Sequence, residues 1–366
     1  MTSINFSPQL DSIWKLDLTF VVCPSCNRAF LLSVSKDEQL CPQCLQDNLQ
    51  PFSAPFRPEP PELVIPIAIK GSELYSRLTV FCAGLWFPPS DFIPQNLLKR
   101  AIPVFFPMWL VDATCQGEWQ AEAGFEYQVQ SSKEYYREGA WQSQSVHETR
   151  IKWQTRLGQI TRRYQNIAVK AVEDHNKLIG VLGDYSFSNS VPYNPTEINQ
   201  SFIRSPDILP DQSWPDAEMR LRTLIQQDCQ KASNAQHFRN FSSSLNYVDQ
   251  HWTQILIPAY VTYYNTDNLE KIQVLINAQS GQVFGPKIAS QKRGWHTAAL
   301  MGGIGLGLIL FAILLFLFTA IFPPVGLIGS IVLVIGIGLT GIAIIPAVYP
   351  WFWNRKQTEF RVFKTN

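Results

Sequence analysis

Four of the seven cysteines in this 366-residue chain fall inside one short stretch, CPSCNRAFLLSVSKDEQLCPQC, as Cys23, Cys26, Cys41 and Cys44. They form two Cys-x-x-Cys pairs with fourteen residues between them. Four thiolates at this spacing match a tetrahedral zinc site, with metal–sulfur distances of about 2.3 Å. The proline inside each pair favours the tight turn that aims both sulfurs at one ion. Because all four positions are cysteine, the site is closed: no position is left for water, so the expected zinc is structural rather than catalytic. A rubredoxin-like iron site and a redox dithiol use the same residue types. Asn27, after the second cysteine of the first pair, tolerates the left-handed backbone common in such knuckles. Leu45, its counterpart, does so poorly, and the second knuckle is expected to be less regular.

RAFLLSV between the pairs reads as a short strand. With it, residues 15–50 are expected to form a zinc ribbon of the transcription-factor-IIB type. A phosphate-reading ribbon needs clustered bases. Residues 15–50 carry three bases (Lys15, Arg28, Lys36) and four acids (Asp17, Asp37, Glu38, Asp47). This balance argues against nucleic acid and for a protein contact. The remaining Cys82, Cys115 and Cys229 lie in apolar contexts and read as core residues.

The other end of the chain explains its low charge content of 16%. No Asp, Glu, Lys or Arg occurs from Thr297 to Asn354. Two apolar runs lie there, Ala298 to Phe322 and Val325 to Val348. Each is about 25 residues, or about 37 Å as a helix, against a hydrocarbon core of about 30 Å. Pro323 and Pro324 break the helix between them. Residues 297–350 are therefore expected to form a transmembrane hairpin. Lys287, Lys292 and Arg293 precede it; Arg355, Lys356, Arg361 and Lys364 follow it in a basic tail, 351–366. Positive flanks stay inside, which predicts an integral membrane protein with two spans and both termini cytoplasmic. A reducing compartment suits free thiols. Trp295, Trp351 and Trp353 occupy the positions of an interfacial aromatic belt. Gly303 and Gly307 make a small-xxx-small pair that could pack the hairpin or a second copy, so a homo-oligomer is among the expected partners.

Between these ends, PFSAPFRPEPPE (51–62) reads as a stiff linker, and residues 63–289 as a cytoplasmic α+β domain. Ser72 is placed to cap a helix with Leu74, Leu78, Phe81, Cys82 and Leu85 on one face, and a short helix starts at Pro94. PVFFPMWLVDATCQGEWQAEAGFEYQV reads as two strands, SSKEYYREGAWQSQ as a polar loop, and HETRIKWQTRLGQITRRYQNIAVKAV as a hairpin turning near Gly158. A helix from about Pro215 to Ala232, capped by Ser213, is expected to bury Leu221, Leu224, Ile225 and Cys229. VFFPMWLVDA and ILIPAYVTYY share a pattern that hints at two related hairpins in one sheet.

Taken in order, the ribbon, IPIAI…LTVFCAGLWFPPSDFIPQNL, FFPMWLVDA, IKWQTRLGQITRRY, LIPAYVTYY, INAQSGQVFG and the apolar hairpin resemble a bacterial family of zinc-ribbon membrane proteins. The likeness covers most of the chain and is loose over residues 175–245. The family has no established activity, so the resemblance implies architecture and not a mechanism. A helicase-like reading of the ribbon fails here, because the chain contains no G-x-x-x-x-G-K-[ST].

Candidate chemistry in the middle is sparse. Glu173-Asp174-His175 could supply an acid–base group but reads more simply as a polar turn. Asp112 and Glu118 could face each other as a carboxylate pair. In RIKWQTR, Arg150, Lys152 and Arg156 alternate with Ile151, Trp153 and Leu157, with Arg162 and Arg163 following. The expectation is a cationic sheet face over a buried one, placed to meet anionic lipid headgroups near the bilayer. The functional expectation is a membrane-anchored zinc-ribbon scaffold or adaptor that recruits a protein partner and is not an enzyme. The alternatives are a membrane-tethered nucleic-acid-binding regulator and an unrecognised enzyme in the α+β domain.

Overall fold

A computed structural model describes residues 12–33, 39–52, 59–319 and 321–357. Lys36, Asp37 and Glu38 of the ribbon, residues 53–58 of the proline-rich linker, and Arg361 and Lys364 of the tail lie outside the described residues. The strands are β1 (Leu18–Val22), β2 (Ala29–Ser33), β3 (Gln50–Pro51), β4 (Leu63–Val64), β5 (Ile102–Arg137), β6 (Ala140–Lys170), β7 (Val191–Pro192), β8 (Phe202–Arg204), β9 (His237–Asn265), β10 (Lys271–Asn277) and β11 (Val283–Phe284). The helices are α1 (Gly71–Cys82), α2 (Pro94–Lys99), α3 (His175–Leu182), α4 (Pro195–Ile198), α5 (Pro210–Ser233), α6 (Gln291–Phe318), α7 (Val325–Ile342) and α8 (Ile344–Gln357). The chain is a mixed α+β protein with its cysteine cluster near the N-terminus and two C-terminal apolar helices.

Two compact units emerge. The first contains the described residues up to Phe106, Asp174–Ser205, and those from Leu256 onward; the second contains Pro107–Glu173 and Pro206–Ile255. The strand order β11-β10-β9-β5-β8-β2-β1-β3 carries the first unit, with β8 parallel to β5. The ribbon, expected as a unit separated from the α+β domain by the 51–62 linker, packs into this sheet. Phe30, Leu31 and Leu32 of β2 pair with Arg204, Ile203 and Phe202 of β8. Trp14, Leu18, Phe20 and Leu31 share one buried cluster with Val64, Phe105, Ile198, Ile203 and Leu256. The physical reason is area. A ribbon of some forty residues has apolar positions on its strands that cannot bury one another, and the neighbouring sheet covers them. A second cluster joins α1 (Leu74, Leu78, Phe81) to β9 and β10 through Tyr260, Tyr264, Ile272, Val274 and Ile276. Helix α1 begins one residue before Ser72, which therefore lies in its first turn rather than at its cap; α2 starts at Pro94 as expected.

In the second unit β5 and β6 form one long antiparallel hairpin. Glu138 and Gly139 have φ values of 53° and 84°, the pair of positive angles that a two-residue type I′ turn requires. The segment read as a polar loop, 131–144, is thus strand on both sides of that turn. Its polarity reflects two solvated faces, not the lack of a strand. Gly158 lies mid-strand in β6 instead of at a turn, opposite Trp119. A Cβ there would sit 2.7 Å from Trp119 Nε1, so the missing side chain is the space the indole fills. Helix α5 covers one face of this sheet with Ala217, Leu221, Ile225 and Cys229 against Val111, Cys115, Trp119 and Tyr164. Cys115 and Cys229 are buried core thiols, and Cys82 is half-buried. Helix α5 starts five residues earlier than expected. Pro210 occupies its first turn, Gln212 Oε1 accepts the Leu209 amide at 3.1 Å, and Ser213 donates to Lys170 O from inside the helix. The echo between β5 and β9 holds for the strands, which are neighbours, but AEAG lies mid-strand while AQSG is a turn at Gly281, φ 76°.

Helix α6 is fixed at its start. Ser290 Oγ accepts the Arg293 amide at 3.0 Å and donates to Asp267 Oδ2 at 2.8 Å. The same carboxylate accepts the Lys292 amide, placing negative charge at the positive end of the helix dipole. Helices α6 and the α7–α8 pair are each long and apolar enough to cross a membrane. They meet through Gly305 and Gly336: a Cβ on Gly305 would press into Thr340 Oγ1, and one on Gly336 would lie 2.9 Å from Gly305 O. Gly303 and Gly307, singled out by spacing, have nothing within 4 Å. Their face is turned away from the hairpin seam.

Candidate metal centre

The two knuckles have the same backbone. Asn27 N donates to Cys23 O at 2.9 Å, and Leu45 N donates to Cys41 O at 3.0 Å. Asn27 has φ 55° and Leu45 φ 58°, so the second knuckle is as regular as the first. Leu45 tolerates the left-handed conformation because its side chain is buried, 6% exposed, and burial of a Leu is worth about 1.5–3 kcal/mol against about 1–2 kcal/mol for the backbone. Ser25 Oγ donates to Asp47 Oδ2 and ties one knuckle to the other.

This geometry brings the four sulfurs within 4.8 Å of one another. Cys23 Sγ lies 3.5 Å from Cys44 Sγ, and Cys26 Sγ 3.7 Å from Cys41 Sγ. A tetrahedral zinc with four thiolates places its sulfurs about 3.8 Å apart, and a disulfide would place them at about 2.05 Å. The cluster fits a metal ion such as zinc and does not fit a bridge. The four thiols act on one another: hydrogen bonds from Cys26 and Cys41 draw the Cys44 thiol far down, while contacts with Cys26 and Cys44, together with burial, push Cys41 up. At Cys26, contact with Cys41 lowers the value, but contact with Cys44 and burial win, and it is pushed up to about 12.

The centre is held from outside by residues that no local pattern marks. Gln273 Nε2 of β10 donates to Pro42 O at 2.6 Å, and Lys271 Nζ to Leu45 O at 3.1 Å. Gln43 reaches Asp174, at the start of α3. Arg204, 1% exposed, donates to Ala29 O at 3.1 Å just beyond the first knuckle. These partners are separated from the knuckles by well over a hundred residues in sequence, which is why spacing could not reveal them.

The cationic strand is built differently from its expectation. Arg150, Lys152 and Arg156 share one face and are exposed, but Leu157, on the supposedly buried face, is 74% exposed. Arg150 pairs with Glu148 at 3.4 Å, and Arg156 stacks on Phe125 at 5.5 Å. Arg162 binds Asp228 of α5 at 3.0 Å, and Arg163 binds Asp112 at 3.5 Å. Three of the five bases are therefore in ion pairs, and the adjacent Arg162 and Arg163 point to opposite faces. Trp153, on the same face as Leu157, is half-buried under Arg239, whose guanidinium lies 3.8 Å from its ring, so the face expected to be buried is covered only in part. Asp112 and Glu118 do not face each other: they lie on the same strand, six residues or about 20 Å apart. Asp112 accepts the Asn166 amide at the bulge, and Glu118 accepts from Gln159. An open groove beside Glu118, bounded by Trp119, Leu157 and Ser242–Ser244, contains that one titratable group. His175 is buried as the first residue of α3.

No protein-family model, curated protein or solved structure matches this chain. Of the features that carry the likeness drawn from the sequence, the four clustered cysteines and the two apolar helices are present.

Proposed function

We propose that this chain is a membrane-anchored zinc-ribbon scaffold that holds a protein partner at the cytoplasmic face of a membrane and acts by binding rather than catalysis. The observation that carries this reading is that one unit contains both the thiol cluster and the two apolar helices. Cys23, Cys26, Cys41 and Cys44 would hold a structural zinc ion. Its apparent binding energy, about 10–16 kcal/mol, would supply the cohesion that a small ribbon lacks.

Helices α6 and α7–α8 would span the bilayer. Leu306, Leu310, Leu317 and Val334 are exposed along them, where a soluble core helix would bury such residues. Gly294 near the start of α6 abuts Pro346 and Pro350 of α8, so both feet of the hairpin are on one side, together with Lys287, Lys292, Arg293, Arg355 and Lys356. That charge excess assigns the side to the cytoplasm. Phe52, exposed at the outer edge of the ribbon beside Phe20, is the partner contact this reading favours.

The experiment is metal analysis and cross-linking of the full chain in its membranes. One zinc per chain is expected, and none in Cys23→Ser. A cross-linked protein lost in both Cys23→Ser and Phe52→Asp, with zinc retained in the latter, supports the scaffold. An unchanged set of cross-linked proteins in both variants overturns it, as does salt-sensitive retention of an oligonucleotide by the ribbon without any protein partner.

A further inference from the structure

Two loops flank the foot of the apolar hairpin, and each presents exposed apolar side chains, Trp86 most of all in the first and Leu269 in the second. The first, residues 83–93, joins α1 to α2. Leu85 and Phe92 anchor it in the core, yet Trp86 between them is 61% exposed. The turn that points Trp86 outward is strained: Phe87 has φ 55°, a left-handed conformation that costs a bulky residue about 1–2 kcal/mol. It is held there because Phe87 O accepts the Ser290 amide at 2.7 Å. The second loop, residues 266–270, joins β9 to β10. Its Leu269 has φ 61° and is 80% exposed, and its Asp267 accepts from Ser290 Oγ. Both loops thus grip the residue that caps α6.

Their depth follows from the helices. Tyr349 is the first residue after the apolar run that ends at Val348. The Trp86 ring is 5.4 Å from the Tyr349 ring, and Phe87 is 6.1 Å away. Trp86 therefore lies at the level where the aliphatic run of α8 gives way to the aromatic residues Tyr349, Trp351 and Trp353. Ser290 precedes the charge-free stretch at Thr297 by seven residues, about 10 Å of helix, which is the thickness of a headgroup layer to within a few ångströms. Indole prefers this layer because its ring is apolar and its N–H is wet.

We infer that the 83–93 loop, with Leu269 beside it, is a third membrane contact: Trp86 lies in the headgroup layer of a glycerophospholipid bilayer. This rests on the reading of α6 and α7–α8 as spans. The consequence is that the first unit is held against the bilayer in a fixed orientation, by two helices and a loop, rather than tethered loosely.

The test places a photoreactive benzoyl-phenylalanine at position 86, 269, 310 or 52 of the zinc-loaded full chain, reconstituted in nanodiscs of phosphatidylcholine and phosphatidylglycerol. Lipid adducts are read by mass. Adducts at 310, 86 and 269, with those at 52 at least tenfold weaker, are expected. An adduct at 310 and none at 86 overturns this inference and leaves the spans standing. No adduct at 310 overturns the spans and the inference together. Equal yields at 52 and 86 mean indiscriminate surface labelling and also overturn it. An adduct at 86 without one at 269 confirms the first loop and removes the second from the contact.

Discussion

Asn27 and Leu45 occupy the same left-handed position in the two knuckles, and the contrast between them separates backbone cost from burial. Asn27 is exposed, so Asn27→Gly removes a small strain and little else; its thermal midpoint should stay within about 1 °C of the parent. Leu45→Gly relieves about 1–2 kcal/mol of strain but forfeits about 1.5–3 kcal/mol of burial. The net loss of about 1 kcal/mol, some 2–4 °C in a chain this large, should appear in a calorimetric scan with zinc bound. A midpoint rise in Leu45→Gly would show that the backbone cost dominates. The carboxylate of Asp91 supports a pH prediction. It takes two hydrogen bonds from Arg100, at 2.6 and 3.0 Å, and others from Asn96 and from Asn265. Burial alone would raise its pKa, but these bonds outweigh it and hold the carboxyl below its ordinary value. A depressed carboxylate stabilises the fold above its unfolded pKa of about 3.9, and the contribution is lost as pH falls through the folded value. Asp91→Asn should therefore cost about 2–3 kcal/mol at pH 7. The gap between variant and parent should close on titration from pH 5 to pH 2; a gap independent of pH would sink this assignment.

At the scale of elements, the glycines of the apolar hairpin divide into those the fold needs and those it does not. Gly305→Val should push α6 off α7–α8, because its side chain would meet Thr340 and the Gly336 carbonyl. Gly303→Val enters open space and should leave the hairpin intact. Cysteine cross-linking between Ala312 and Gly329 variants in membranes reads the seam: loss in Gly305→Val alone is expected, and equal loss in both would contradict the packing. Sequence spacing pointed to Gly303 and Gly307 because small residues four apart are a good signal for some helix contact but carry no information about which partner. The same division runs through the rest of the chain. The thiol cluster and the apolar runs were readable because their chemistry is local: four ligands within 22 residues, and a 58-residue stretch without charge. Helix α1 was readable from its apolar period. Strands β5 and β6 do not read as single long strands, because Gly158, which makes room for the Trp119 indole, and the polar segment around Glu138, solvated on both faces, each mimic a turn. The supports of the metal centre, Lys271, Gln273 and Arg204, left no trace, since a side chain that donates to a carbonyl across the sheet looks like any other polar residue.

Strand β10 links the candidate metal centre to the residues at the foot of the apolar helices. β10 meets the second knuckle with Lys271 and Gln273, and buries Ile272, Val274 and Ile276 on its other face beside Tyr264. Tyr264 donates to Pro286 O and accepts the Ile288 amide, and Asn354 of α8 pairs with both backbone groups of Ala289. Two effects compete when the metal is removed. Zinc worth about 10–16 kcal/mol matches or exceeds the whole stability of a typical domain, about 5–15 kcal/mol, which favours collapse of everything attached. Against that, among the described residues the core around β10, α1 and Tyr264 contains none from the ribbon, whereas the core around Trp14 and Ile203 draws Leu18, Phe20 and Leu31 from it. The second consideration decides the pattern, because local opening follows which buried surface is lost. Chelation of the full chain in nanodiscs should therefore deprotect amides in graded fashion by hydrogen exchange. Residues 18–32 and 202–204 should exchange freely, and 271–277 at least tenfold faster than with metal. Residues 286–289 should change by less than that, and 164–169 in the second unit should not change. Uniform deprotection of the whole first unit would mean that the ribbon is its folding nucleus. No change at 271–277 would mean that the contacts of Lys271 and Gln273 carry no coupling.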